Sequence, residues 1–520
     1  MSPWRRALLG GALGSLLVLL IHPLSRAYYF SALHFGDSQF LLSTQLLPEN
    51  VRRLPEPKAA SEAAYIFLVA AEAEQRGEKL AKKDYTRLYR LAEAWTQSDP
   101  DNAFWRQMQS IYLMRLRRER EAIDQWQRAA RALKWDNYQN VRLHAIVDGL
   151  ASESSATLGW HWALAYSSRS QAIARQIVRH ARVMKDLRPS DEPVGLELRY
   201  ATLLNGVLLR EGARSNATGL AGHEIVEIAS YPERFTIELS QKKLILARQA
   251  LSNRFRDEGR PDEAARADDG FRDNDAWIAL VRPESIPEHV ENLTTTALLA
   301  SSFPGIALML VGTGALVALL GWGVERSTRL QLAFATPVAP VLGLVLAALT
   351  FWATELVFPS LWVVLCFTFF AFAPEHTRRI EPRELGPTFR FVLGILAVAF
   401  IGLAALFLLG LCAPGIRLMP ILGVPREYST GSTLVLGLTG IVFGLVLLTA
   451  PVWGIVQKFP PPKLAGLALR EFGIGVMSIS LLLAIVGGPV CVALDRNARE
   501  NLSKLTQNEP LYSQNLQQTR

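Results

Sequence analysis

FPGIALMLVGTGALVALLGWGV, residues 303–324, runs 22 positions without an Asp, Glu, Lys, Arg or His. At a helical rise of 1.5 Å per residue such a run extends about 33 Å, enough to cross the hydrocarbon core of a bilayer. Five further runs of the same kind follow, at 332–353, 358–374, 391–413, 433–456 and 473–494. Only 358–374 is short, and Pro359 places a tight turn after Glu355. Six such runs in succession predict a polytopic membrane bundle. Their polar content is limited to hydroxyls such as Thr313, Thr336, Thr350, Thr439 and Ser480, so no proton or ion relay is written into them. Gly440 and Gly444 form a G-x-x-x-G, while Gly305 and Gly312, and again Gly314 and Gly321, stand seven apart. Such spacing predicts close helix packing. Cys366, Cys412 and Cys491 all lie in the runs and read as small apolar residues.

The loops between the runs set the orientation. Arg326, Arg329, Arg378, Arg379, Arg383, Arg390, Lys458, Lys463 and Arg470 fall in alternate loops, nine basic residues on one side, against Arg417 and Arg426 on the other. The positive-inside bias assigns the nine to the cytoplasm, which leaves residues 24–300 and Asp495–Arg520 outside it. The N-terminus agrees. Arg5 and Arg6 precede the apolar run Ala7–Ile21, closed by His22 and Pro23, an export signal. Residues 1–27 read as an uncleaved signal anchor, giving a seventh span. A cleaved signal peptide, with Ser25 and Ala27 at the cleavage site, is the alternative.

Composition narrows the function classes. The chain of 520 residues is 50% hydrophobic and 20% charged, which excludes a disordered chain, and three cysteines exclude a disulfide scaffold. The formal charge of +8 does not point to nucleic acid. Between His22 and Phe303 stand 38 basic and 37 acidic residues, so the excess belongs to the membrane region.

The exported residues 28–300 carry an internal period. Leu88, Ala92 and Trp95 are followed 34 residues on by Ala122, Trp126 and Ala129, and after 34 more by Ala156, Trp160 and Ala163. Each triplet is spaced i, i+4, i+7, one stripe of a helix. Between the first two, Ser98-Asp99-Pro100-Asp101-Asn102-Ala103 supplies a helix stop and an Asn N-cap. In these features the domain resembles tetratricopeptide repeats, 34-residue helix–turn–helix units. A further hairpin near 245–272 resembles the unit through Leu251, Phe255, Gly259 and Ala264. Gln109-Ser110 and Lys134 depart from the family pattern, and residues 170–240 do not keep the register. The resemblance implies stacked hairpins whose first helices line a concave groove for an extended peptide or a partner's helix. The fold class is thus all-α, an exported repeat-like domain over 28–300, a six-span bundle over 301–495 and a polar tail over 496–520.

Candidate sites lie in that domain. Trp95, Trp126 and Trp160 sit at packing positions, whereas Trp105, Trp135 and Trp162 are free to line a groove and anchor a partner. Trp162 lies about 200° round its helix from Trp160 and is expected outside the packed stripe. Arg115, Arg117 and Arg118 form a basic cluster able to clamp a carboxylate or phosphate, or else a solvated helix end. The acids between Asp257 and Asp275 lack the order of a calcium loop and interleave with arginines. His223-Glu224 lacks a second histidine, and no nucleophile elbow, phosphate loop or C-x-x-C occurs. His161 reads as a structural histidine. No cofactor or metal is expected.

These readings converge on a bacterial inner-membrane protein whose exported domain binds or scaffolds a protein or peptide at the outer face. Its other partner is the lipid bilayer. The alternative is a component of a transport or export system for a lipid-like or uncharged substrate. A reporter fused after Arg520 is expected to be active only outside the cytoplasm, and one inserted in the 375–390 loop only inside. Activity in the opposite compartments would reverse every span.

Overall fold

The computed structural model describes residues 28, 56–153, 157–167, 171–232, 240–281, 286–326, 387–412, 442, 445–446 and 461–518. Among them every regular element is an α-helix. The contacts divide the chain into two units. One comprises Leu41–Leu150, Trp162–Leu293 and Glu500–Arg520, and the other Met1–Phe40, Ala151–His161 and Thr294–Arg499.

The first unit is built of helical hairpins. Its helices are α1 (Ala60–Gln75), α2 (Lys82–Ser98), α3 (Ala103–Arg115), α4 (Glu119–Ala129) and α5 (Gln139–Glu153). Then come α6 (Leu158–Ser167), which the division cuts, α7 (Ala172–Lys185), α8 (Pro193–Gly212), α9 (Asn216–Ser230), α10 (Gln241–Asp257) and α11 (Pro261–Val281). The local sequence explains their ends. Asp84 accepts from Ala81 N at 2.9 Å and starts α2, Asn102 accepts from Phe104 N at 3.1 Å and starts α3, and Ser215 caps α9 through Thr218 N. Gly259, at φ 72°, turns the chain between α10 and α11, a conformation L side chains resist.

The 34-residue stripe is structural where it is described. The buried residues of α4 are Ala122, Trp126 and Ala129. Leu88 and Ala92 are fully buried and Trp95 is half-buried. Ser110 Oγ of α3 donates to Ala122 O at 2.7 Å, so the backbones approach where the sequence places alanine. Trp126 Nε1 donates to Thr202 Oγ1 at 3.1 Å. In the third triplet Ala163 is buried, while Ala156 and the Trp160 side chain lie outside the described residues. The expected hairpin near 245–272 is α10 and α11, with Leu251, Phe255 and Ala264 in a second core beside Leu203 and Phe271.

The Ser98–Ala103 turn is bolted to the loop 34 residues later. Leu133 N and Lys134 N both donate to Asp101 O at 3.1 Å, and Ala103 N donates to Lys134 O at 2.9 Å. Lys134 pairs with Asp99 at 2.9 Å, and the Tyr138 hydroxyl donates to Asp99 at 2.6 Å. Burial pushes the Asp99 carboxyl up, but the bonds from Tyr138, Lys134 and Asn102 hold it below its ordinary value.

The polar C-terminal segment belongs to this unit and is not a separate tail. Its helix α15 (Glu509–Gln518) packs on α9 and α11. Glu509 N donates to Arg214 O at 3.0 Å, and Asn216 Nδ2 to Ser513 Oγ at 2.9 Å.

The second unit holds the long apolar helices α12 (Ile286–Arg326), α13 (Pro387–Cys412) and α14 (Pro461–Gln507), of which α12 and α14 extend beyond it. Within them Asn292–Arg326, Thr388–Ala405 and Leu464–Gln507 are long and apolar enough to cross a membrane. The expected spans at 332–353, 358–374 and most of 433–456, and residues 1–27, lie outside the described residues. Leu316, Leu319 and Leu320 of α12, Phe391, Ile395 and Val398 of α13, and Leu482, Val486 and Val490 of α14 are all more than half exposed, a surface suited to hydrocarbon.

Of the heptad-spaced glycines of α12, Gly314 and Gly321 meet a matching pair on α14, whereas a Cβ on Gly312 would meet nothing within 4 Å. A Cβ on Gly314 would lie 2.5 Å from Met477 N and 2.8 Å from Gly473 O. A Cβ on Gly466 would lie 2.7 Å from Glu325 N and 2.9 Å from Gly321 O. The pairs run 314 to 473 and 321 to 466, so the helices are antiparallel with backbones in contact. Arg470 pairs with Glu325 beside the second crossing.

Trp162 departs from expectation. It is 7% exposed, with its ring 4.9 Å from that of His144, because the helix that carries it is packed on more than the Ala163 face. Trp126→Ala is expected to destabilise by ~3–5 kcal/mol, the range for a large buried aromatic. Leu133→Ala, at a site 80% exposed, should change stability by less than ~0.5 kcal/mol. Denaturant unfolding of the purified full-length protein followed by circular dichroism compares the two.

Candidate functional site

A groove runs along α2. Lys83, Arg87 and Arg90 follow at i, i+4 and i+7, with Leu91, Ala94 and Trp95 as the apolar wall and Glu56 and Pro57 across from them. This stripe turns away from the Leu88 and Ala92 face, so one helix packs with one side and presents cations with the other. Lys83 and Arg90 are exposed and Arg87 is half-buried. Among the described residues no carboxylate stands within ion-pair distance of Lys83 or Arg90, whereas Arg115, Arg128, Arg182, Arg188 and Arg248 each have one.

The residues singled out in the sequence fall elsewhere. Trp105 is fully buried, with its ring centroid 5.8 Å from that of Trp95 and 5.6 Å from that of Tyr138. Trp135 is 3% exposed and donates through Nε1 to Gln107 Oε1 at 2.8 Å. With Trp162 these rings fill the interior, so none of the three lines an open groove. The reason is α3, which is buried from Ala103 to Leu113 except at Arg106 and therefore leaves no free concave face there. In the basic cluster, Arg115 pairs with Glu74 at 2.9 Å, and Arg118 bonds Glu121 at 2.6 Å while lying over the Tyr89 ring. Arg117 occupies the turn at φ 62°. The cluster is a solvated helix end with two of its charges engaged internally.

Several other chemistry-bearing groups are engaged within the fold, though the buried ring nitrogens of His161 have no hydrogen-bond partner among the described residues. Arg256 pairs with Asp268, Arg260 with Glu263, Arg272 with Asp269 and Arg248 with Asp275, across the acidic stretch 257–275. Among the described residues no three His, Cys, Asp or Glu side chains converge to hold a metal. Asp495, 3% exposed, accepts from Tyr28 at 2.9 Å and from Thr157 at 3.0 Å, and the Ser301 hydroxyl, which donates to Ala297 O at 2.7 Å, stands 3.2 Å from the same carboxylate. Gly159 is required beside it, since a Cβ there would lie 2.8 Å from the Asp495 Cγ. A carboxylate with two hydroxyl donors and a third hydroxyl in contact brings residues 28, 157, 301 and 495 together. Ser110 Oγ stands 2.8 Å from His180 Nε2, yet Ser110 already donates to Ala122 O, so it accepts from the imidazole and is no activated nucleophile.

The basic stripe on α2 carries a signal that a helical wheel reads directly, cations at i, i+4 and i+7. Asp495 carries none, because its partners come from three distant segments. No protein-family model, curated protein sequence or solved structure matches the chain.

The buried histidines give the fold a pH dependence. Burial, with a small contribution from Arg115, pushes His180 down to about 3, and burial pushes His161 down to about 4. Unfolded histidine titrates near 6.5, so on acidification the unfolded chain takes up the protons first. The stability contribution is complete above about pH 6.5 and falls as pH drops toward 3 to 4. Thermal midpoints between pH 7 and pH 4 are expected to decline, and His180→Gln should flatten the decline. An equal slope in the variant would contradict this assignment.

Proposed function

We propose that this chain is an integral protein of the bacterial inner membrane whose hairpin unit lies outside the cytoplasm and binds a protein or peptide partner there. Three apolar helices long enough to cross a bilayer support the membrane setting, and the nine-to-two loop asymmetry supports the orientation. The observation that carries the binding reading is the groove on α2. Among the described residues, Lys83 and Arg90 stand without an ion-pair partner on one stripe with Arg87, above an apolar wall of Leu91, Ala94 and Trp95. Unneutralised cations beside exposed apolar surface complement an extended acidic segment carrying a few apolar side chains. The partner is therefore a protein bearing such a segment.

Binding of a fluorescent ten-residue Glu- and Leu-rich peptide to the full-length protein in detergent tests this reading, with the Lys-for-Glu peptide as control. The acidic peptide should bind and weaken as salt rises. Joint Lys83→Glu and Arg90→Glu substitution should lower its affinity ~10-fold, since exposed pairs contribute ~0.2–1 kcal/mol each and reversal adds repulsion. Equal binding of the two peptides, or an unchanged affinity in the double variant, would remove the groove as the site.

A further inference from the structure

Two features of the position of Arg142 disfavour its charge, and one aromatic contact favours it. It stands in the first turn of α5, where the helix dipole repels positive charge. Its guanidinium carbon lies 3.7 Å from the centroid of the Tyr65 ring, and burial lowers its pKa to about 10, partly countered by Tyr65 and Glu72. Among the described residues no carboxylate comes within ion-pair distance of it; Glu72, two turns beyond Tyr65 on α1, acts through its field alone. Arg142 is half-buried, and a partly desolvated guanidinium gains more from a neighbouring anion than a fully hydrated one does.

The same residue faces a cavity. Ser61 and Tyr65 of α1, Asn137 and Gln139 at the start of α5, and Ile173 and Ala174 of α7 enclose it with Arg142. In this lining the Asn137 side chain accepts from Gln139 N at 3.2 Å. Leu68, Leu143 and Ile146 add aliphatic lining, and Ala64, Tyr138 and Thr218 complete it. Tyr138 beside it adopts φ 56°, held by its hydroxyl on Asp99 and by its amide N–H on Asp136.

We propose that this cavity is a second binding site, independent of the α2 groove, and that Arg142 holds in it a carboxylate carried on a small branched apolar group. A single negative charge matches the single guanidinium, which offers a planar fork to the two carboxylate oxygens. A phosphate would bring up to two charges into an apolar pocket with one cation to meet them. The Tyr65 ring fixes the plane of the fork, and the aliphatic lining takes the apolar part. Two sources carry such a group, a free short-chain acid and the C-terminal residue of a peptide.

Isothermal titration of the full-length protein in detergent with isovalerate, isovaleramide, N-acetyl-Gly-Val and its C-terminal amide separates them. An acid should bind saturably and raise the thermal midpoint, while its amide binds at least ten-fold more weakly. Binding of isovalerate assigns a free acid, and binding of N-acetyl-Gly-Val alone assigns a chain terminus. Arg142→Met should reduce the affinity at least ten-fold, and Arg142→Lys several-fold because the fork is lost. Should Arg142→Met fail to fold, Ser61→Leu fills the half-buried rim with the arginine intact and should abolish binding in a protein of unchanged circular dichroism. Absence of saturable binding by either acid, equal binding of an acid and its amide, or unchanged affinity in folded Arg142→Met or Ser61→Leu would overturn the proposal.

Discussion

A carboxamide can donate twice and accept twice, and Asn102, wholly buried, uses all four capacities. Its oxygen accepts from Phe104 N at 3.1 Å and from Asp136 N at 3.0 Å, and its nitrogen donates to Asp136 O at 2.9 Å and to Asp99 at 3.2 Å. The first bond starts α3. The two bonds to Asp136 draw in the loop that carries Trp135, Asp136, Asn137 and Tyr138, which leads into α5. Everything placed by α5, Arg142 included, inherits its position from this one side chain. An aspartate there would lose both donors and bury a charge, and an alanine would leave the Asp136 backbone groups unpaired.

Two ways of bringing helices together follow from what surrounds them. In the hairpin unit water drives apolar faces together, so Trp126 and Trp105 supply large buried area, and their neighbours Ala122 and Ser110 are small to let backbones close. Between α12 and α14 the side chains facing outward are as apolar as a lipid tail, so burying leucine gains little in a bilayer. Attraction must come from dense contact, and Gly314, Gly321, Gly466 and Gly473 permit backbone against backbone. The seven-residue spacing recurs on both helices because each crossing repeats after two turns. The two units thus place their small residues on the same logic of close approach with different driving forces.

How much of this was legible in the sequence differs by the range of the interaction. The Leu88, Ala92, Trp95 and Ala122, Trp126, Ala129 stripes are local patterns, and their burial follows the period. Gly314 and Gly321 announced a close contact, but their partners Gly466 and Gly473 became identifiable only once the antiparallel pairing was known. The tryptophans went further astray. Trp105, Trp135 and Trp162 were candidates for an open groove because periodicity describes one face of a helix and cannot register that α3 is enclosed on all sides. Arg142 was invisible for the opposite reason. Its significance lies in what is missing around it, and a missing neighbour has no sequence signature.

The charge balance gives that absence its meaning. A domain with 38 basic and 37 acidic residues between His22 and Phe303 offers an acid for nearly every base, and the fold brings many of them together. Glu227 alone accepts two bonds from Arg248, at 2.6 and 3.0 Å, and Asn274 completes its shell. On the surface such pairs contribute little, and an unpaired lysine there is simply hydrated. Lys83 and Arg90 acquire interest only through their alignment beside an apolar wall. Arg142 stands apart, because it is half-buried at a cavity, where an anion gains more by replacing water than it does at the open surface. Folding brings it there against its own desolvation and against the dipole of its own helix. An anion arriving in that pocket relieves both penalties at once, which gives this arginine a larger differential affinity for a carboxylate than any hydrated cation on the groove.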